Sequence, residues 1–560
     1  MRNPIPMQEI VLIAWVSLMA APGVNMAQTA SSAQAASSAE SYRIAGVVVG
    51  KGDGNPLARA RIVVREVKSP EKFETVITGD DGKFAFTGVP AGKYSLSGQK
   101  RGFISAAYDQ HDRYSTAIVT GAGLDTDNLV LKLSPDAMIS GAVVDEAGEP
   151  VRHAQVMLYV EDHAEGTNRI HMSRSARTND LGAYEVTGLM PGTYFLAASG
   201  QPWYAVHPSS DGGPSGSKEK SESPAAFDRS LDVAYPVTYF ADVTDADSAT
   251  PIVVRGGEHL QLDIHFNPVP SLHLVFHTPG NALNTFVFPR FETPAFDGST
   301  QVQARVSRTS TGDLEISGVP AGRYNIQFWG SGTNPPSELD GVNLTRDGEQ
   351  IDPSNAQALS TVKVTVEVTG EPALAKGIFI GLRARSRTRD RWNRVDSKGA
   401  AEFQQISAGK YEVAVARSAT PYSISKVSAD GAEVAGRVVT IGAGTSPSLT
   451  LTLTAGSLDV EGTVKNAGKP FAGAMVVLAP KDLEGDRDLF RRDQSDLDGT
   501  FVLHDVVPGL YTVLAIENGW DLDWAEPAVI GAYAKHGQRI QVGSQPGRRI
   551  NLGDVQVQSR

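Results

Sequence analysis

The sequence predicts an all-β chain, a tandem array of about five β-sandwich domains. Three observations predict it. A strand–turn–strand block recurs five times at fixed internal offsets. Turn signals punctuate the chain about every 8–12 residues, the spacing of short sandwich strands. Helical periodicity is nearly absent.

The block is clearest at Asp81–Leu96. Counting from Gly82, the fixed positions are Phe84, Phe86, Val89, Gly92, Tyr94 and Leu96. The same offsets give Gly182, Tyr184, Val186, Leu189, Gly192, Tyr194 and Leu196, then Gly312, Leu314, Ile316, Val319, Gly322, Tyr324 and Ile326. The fourth copy is Gly399, Ala401, Phe403, Ile406, Gly409, Tyr411 and Val413, and the fifth is Gly499, Phe501, Leu503, Val506, Gly509, Tyr511 and Val513. Steps of two put apolar residues on one face of a strand and leave the other face to water. The leading glycine accepts positive φ in a tight turn. A buried ring at each block tyrosine, with its hydroxyl on backbone, would resemble a tyrosine corner.

A chain of 560 residues exceeds one ordinary domain. Successive block glycines are 100, 130, 87 and 100 residues apart, which reads as five domain-sized units, beads on a string. Cysteine is absent, so disulfides and thiolate chemistry are excluded. The net charge of −12 argues against nucleic acid as a partner.

In order, residues 1–27 read as a signal peptide, with Arg2, an apolar run Ile10–Ala21 and small residues to Ala27. That run is shorter than the roughly 20 residues a membrane span needs, and no other segment is a candidate. The Ser/Ala-rich stretch 28–40 reads as a disordered linker. The sandwiches are placed at 41–134, 135–269, 270–358, 359–454 and 455–560. The second carries a Ser/Gly/Pro/Lys/Glu-rich loop insertion at 208–230, and the third is the most divergent. Heads of the form Gly46-x-Val48 with Gly54-x-Pro56 and Ala60 recur at Gly141, Gly148-x-Pro150 and Ala154, and at Gly462, Gly468-x-Pro470 and Ala474.

Head and block together resemble the carboxypeptidase regulatory-like domain. The resemblance covers most of 42–560. It implies a prealbumin (transthyretin)-like, Ig-like sandwich, and it implies a fold without an activity: in carboxypeptidases the domain sits beside the catalytic one. Elsewhere it implies stalks, surface display or carbohydrate contact. None of the 11 histidines begins a His-x-x-Glu zinc motif. The chain ends Val555-Gln-Val-Gln-Ser-Arg560, without the Tyr-Arg-Gly-Ser signature of the hydroxyisourate hydrolases.

Three sets of side chains stand out as candidate sites. Arg383, Arg385, Arg387, Arg389 and Arg391, with Trp392 alongside, alternate as on one strand face. Guanidinium groups in a row suit carboxylate or phosphate; the other explanation is an edge strand protected by charge. His259, Gln261, Asp263 and His265, then His273 and His277, are spaced to share strand faces and could hold zinc, or be ordinary polar surface. Trp203-Tyr204, Trp329, Trp520 and Trp524 follow the block strands and can stack on sugars or plug sandwich ends. No nucleophile elbow or phosphate loop is present, and carboxylate pairs for glycoside hydrolysis stay open. The expectation is a secreted, periplasmic or cell-surface non-catalytic structural or binding protein with no cofactor. Its partners would be polysaccharide, envelope components or other surface proteins. A carbohydrate-binding array and a cryptic hydrolase are the alternatives.

Overall fold

The computed structural model describes residues 41–560 except 122, 165, 208–227, 277–287, 310–312, 330–335, 370–376, 385–390, 416–421, 456–457 and 544–548. The expected signal peptide, the linker and nearly all of the 208–230 loop lie outside the described residues, as do Arg385, Arg387, Arg389 and His277.

The described residues are all-β apart from one α-helix, Pro527–Ala534, and four single-turn 3₁₀ segments. In the first sandwich one sheet runs Lys83–Pro90, Ser41–Gly50, Leu129–Leu133, with the last two strands parallel. The facing sheet runs Phe73–Ile77, Arg61–Glu66, Gly92–Gln99, and its far edge takes Ala106–Ala107 and Ile118–Thr120. Each block thus spans the core: its first strand lies in one sheet and its second in the other. Phe84, Phe86, Tyr94 and Leu96 meet between the sheets. The second sandwich repeats the plan with Ala183–Leu189, Ala137–Val144 and His259–Gln261 facing Arg169–Arg177, Gln155–Asp162 and Gly192–Ser199. Five separate hydrophobic cores form this way among the described residues. In the fifth, Arg549–Gln558 pairs with both Leu458–Asn466 and Gly509–Ile516, so the two sheets join.

Two recurring residue choices have clear causes. A Cβ on Gly46 would lie 2.0 Å from the carbonyl oxygen of Leu129, and one on Gly141 would lie 1.9 Å from that of Leu262. The head glycine therefore lets the parallel closing strand approach. The block tyrosines make the corner that their spacing suggests. Tyr94, Tyr194, Tyr324, Tyr411 and Tyr511 each donate their hydroxyl to the carbonyl four residues earlier, at 3.1, 2.9, 2.7, 2.9 and 2.9 Å.

The beads do not remain separate. Residues 41–560 form one compact unit. Phe296 of the third sandwich packs 4.9 Å from both Tyr159 and Phe195 of the second, and the Tyr159 and Thr300 hydroxyls are 2.9 Å apart. The Gly444 amide of the fourth donates to Ala358 at 2.6 Å, and Arg437 meets Asp486 of the fifth at 3.5 Å. The fifth returns to the first. Lys93 pairs with Asp496 at 2.5 Å, the Leu497 amide donates to the Ala117 carbonyl at 3.1 Å, and Gln494 Nε2 donates to the Asp109 carbonyl at 2.6 Å. Sequence periodicity sees only the inside of each sandwich, so this return was not expected.

Candidate functional site

The site begins with the outer face of one sheet in the third sandwich. Strand alternation buries Tyr324, Ile326 and Phe328 and turns Arg323, Asn325, Gln327 and Trp329 outward. Neighbouring strands extend this polar face in register. Arg290 lies opposite Gln327, and Gln327 opposite Glu338; Glu292 lies opposite Asn325. Arg391, Ser407 and Tyr411 of the fourth sandwich close the other wall, leaving a cleft of about 290 Å³.

Two carboxylates are buried in it. Glu292 is 8% exposed, accepts from Ser299 Oγ at 2.6 Å and meets Arg290 at 3.1 Å. Glu338 is 6% exposed and accepts a hydrogen bond from Ser407 Oγ. Ser407 is itself positioned by a tyrosine corner, because its carbonyl accepts from Tyr411. Burial pushes the Glu338 carboxyl above its usual range, and Asp340 and Glu292 push the same way; hydrogen bonds from Ser407 and Gln327 oppose them. Arg290 Nε is buried without a hydrogen-bond partner. Among the described residues neither Arg323 nor Arg391 pairs with a carboxylate. Trp329 stands at the mouth, 42% exposed.

The expected arginine row is not one strand face. Arg383 ends the strand Phe379–Ala384, and Arg391 begins its antiparallel partner Arg391–Arg394, where Leu382 faces Arg391. Gly381 lies opposite Trp392 in this pair and lets its indole lie across the neighbouring strand, where a Cβ would be 2.7 Å from the ring. Arg383 sits over that ring at 5.5 Å. Of the two described residues of the row, Arg383 and Arg391, the second lines the cleft.

The histidines disperse. His259 is exposed on its strand, and His265 Nδ1 is 3.2 Å from Asp242. His273 bridges Asp232 at 2.5 Å and Glu315 at 3.2 Å, and His207 meets the other Asp232 oxygen at 2.9 Å. Among the described residues no three His, Cys, Asp or Glu side chains are arranged to hold a metal. The tryptophans also part. Trp203 is 80% exposed, against Tyr204, whereas Trp520 and Trp524 are packed into the junction of the first and fifth sandwiches.

Arg290, Glu292, Arg323 and Glu338 were missed. The signal was present in the polar period-two run Arg323-x-Asn325-x-Gln327-x-Trp329. What made it a site, the facing wall 70 residues onward, was not legible.

Two-sheet sandwiches with tyrosine corners and a parallel closing strand define a class of tandem Ig-like β-protein. Within it, the model of the carboxypeptidase regulatory-like domain matches two stretches of the chain, residues 43–127 and 138–208. No curated protein matches the chain. Among solved structures it is similar to the Bacillus anthracis TIE protein, with 12% identity, 74% of this chain and 76% of that one covered, and a TM-score of 0.17. It is also similar to GBS52, the minor pilin of Streptococcus agalactiae, with 12% identity, 43% and 100% covered, and a TM-score of 0.21. The streptococcal ancillary pilin matches with 11% identity, 51% and 98% covered, and a TM-score of 0.19.

Proposed function

We propose that the chain is an exported, non-catalytic structural and binding protein of the cell envelope, whose sandwiches are locked into one frame. The observation that carries this is the junction of the first, second and fifth sandwiches around Arg492. That side chain is 2% exposed, and the residues of the first and second sandwiches that it bonds, Asp112 and Ala164, lie 380 and 328 residues away in sequence. Its Nη2 donates to Asp112 at 3.1 Å and to the Ala164 carbonyl at 3.3 Å. Its cation lies over Trp524, Tyr114 and Trp520 at 4.2, 5.2 and 5.8 Å. A desolvated charge with so many fixed partners joins domains instead of serving a reaction.

Export rests on residues 1–27; the absence of cysteine is compatible with it, because a chain that folds without disulfides is indifferent to the redox compartment. Cell fractionation with an antibody to the chain checks it: recovery in periplasmic or surface fractions is expected, and a purely cytosolic pool would overturn it. Turnover of a glycan and peptide panel, abolished by a single Asp or Glu substitution, would replace the frame with the hydrolase alternative.

A second reading, carbohydrate binding, is favoured by the cleft, where an exposed indole borders amide and hydroxyl groups.

A further inference from the structure

We propose that the cleft between the third and fourth sandwiches binds a carboxylated sugar, a uronic acid unit of an acidic polysaccharide. This rests on the binding half of the function proposed above and names its ligand class. The frame itself does not depend on it.

Three features select that chemistry. First, Arg290, Arg323 and Arg391 converge from three different strands on one cavity. Arg323 and Arg391 have no carboxylate partner among the described residues, and a guanidinium fork matches a carboxylate with two parallel hydrogen bonds. Second, the lining also holds Glu292, Glu338 and Asp340, as many acids as arginines. Such a balanced site takes a monoanion at less electrostatic cost than a phosphate dianion, which would bring twice the excess negative charge. Third, Trp329 offers an exposed apolar face at the rim, and Asn325, Gln327 and Ser299 offer amide and hydroxyl groups. Sugars present both: C–H faces that stack on an indole, and hydroxyls that need donors and acceptors. The cavity of about 290 Å³ is at the small end of ligand sites, the size for one or two sugar rings. Glu338 adds to the fit, since burial favours its neutral carboxyl, the form that can donate to a ligand carboxylate.

The test is calorimetric titration of the purified chain with trigalacturonate, trimannuronate and a hyaluronan tetrasaccharide, with inorganic phosphate and methyl-esterified trigalacturonate as controls. Saturable binding of at least one acidic oligosaccharide is expected, weakened at least about tenfold in Arg323→Ser or Arg391→Ser, the scale of one lost charge-assisted contact. Trp329→Ala, at an exposed rim position, should weaken binding without altering the melting curve. Should an arginine variant fail to fold, esterification and Trp329→Ala decide the matter. No binding by any of the three, equal binding of the esterified trimer, displacement by phosphate at comparable concentration, or undiminished binding in folded variants would each overturn the proposal. None of these results would bear on the joining of the first and fifth sandwiches, which is measured separately.

Discussion

The guanidinium carbon of Arg492 lies 4.2 Å from the ring centre of Trp524, with Asp112 of the first sandwich bonded to its outer nitrogen at 3.1 Å. Burial pulls the Arg492 pKa down, with Tyr114 and Asp112 acting against it, so the aromatic cage and the carboxylate together keep a desolvated cation charged. Arg492→Ala should lower the unfolding free energy of this region by about 2–4 kcal/mol, because a buried ion pair and cation–π contacts vanish together. Arg492→Lys keeps the charge but not the planar fork, and should fall between the two. Urea denaturation followed by Trp fluorescence checks this; an unchanged midpoint in Arg492→Ala would contradict the role assigned to the junction.

The tyrosine corners predict a smaller, local effect. Tyr324 is 3% exposed and donates to the Pro320 carbonyl at 2.7 Å. Tyr324→Phe removes only that hydroxyl, so a loss of about 1 kcal/mol is expected, read as a lower midpoint of denaturation at unchanged slope.

Asp493 gives a pH signature. It is partly buried in the strand Arg491–Gln494, and burial raises its carboxyl from 3.8 to about 6, against hydrogen bonds from the Val502 and Gln494 amides. A carboxyl raised in the folded state contributes stability that is fully present below pH 3.8 and lost as pH rises through about 6. Asp493→Asn keeps an oxygen for the Val502 amide, 2.7 Å away in the native chain, and cannot ionise. The variant should therefore gain on the native protein as pH rises across that window. The gain should level off above pH 6 at about 1–2 kcal/mol after allowance for solvent screening. Paired denaturation curves at pH 4, 5, 6 and 7.5 measure it; a gap that shrinks with rising pH would have the wrong sign.

What the sequence disclosed follows from where its constraints are local. The block offsets at Gly82, Phe84 and Tyr94 are set within a few residues, so strands, turns and tyrosine corners were legible. The head glycines Gly46 and Gly141 were legible as positions but not as causes, because the carbonyls of Leu129 and Leu262 that require them lie a whole sandwich later. The arginine row misled for a related reason. Period two from Arg383 to Arg391 is equally good as one strand or as two strands of a hairpin, and Gly381 beneath Trp392 goes with the second. Nothing local marks Arg492 as buried, or Arg290 and Glu338 as neighbours of Arg391. Those relationships exist only once sandwiches pack.

The joining of the first and fifth sandwiches is tested most directly by a disulfide, since the native chain has no cysteine to confuse the result. The Leu497 amide donates to the Ala117 carbonyl at 3.1 Å, which brings the two backbones within the range a disulfide spans. The double variant Ala117→Cys, Leu497→Cys should form an intramolecular bond on mild oxidation of dilute protein. It would appear as a faster, reductant-sensitive band on a denaturing gel, with neither single variant showing it. Two thiols that stay free, or that link only between molecules, would contradict the closed arrangement and return the chain to a string of independent beads.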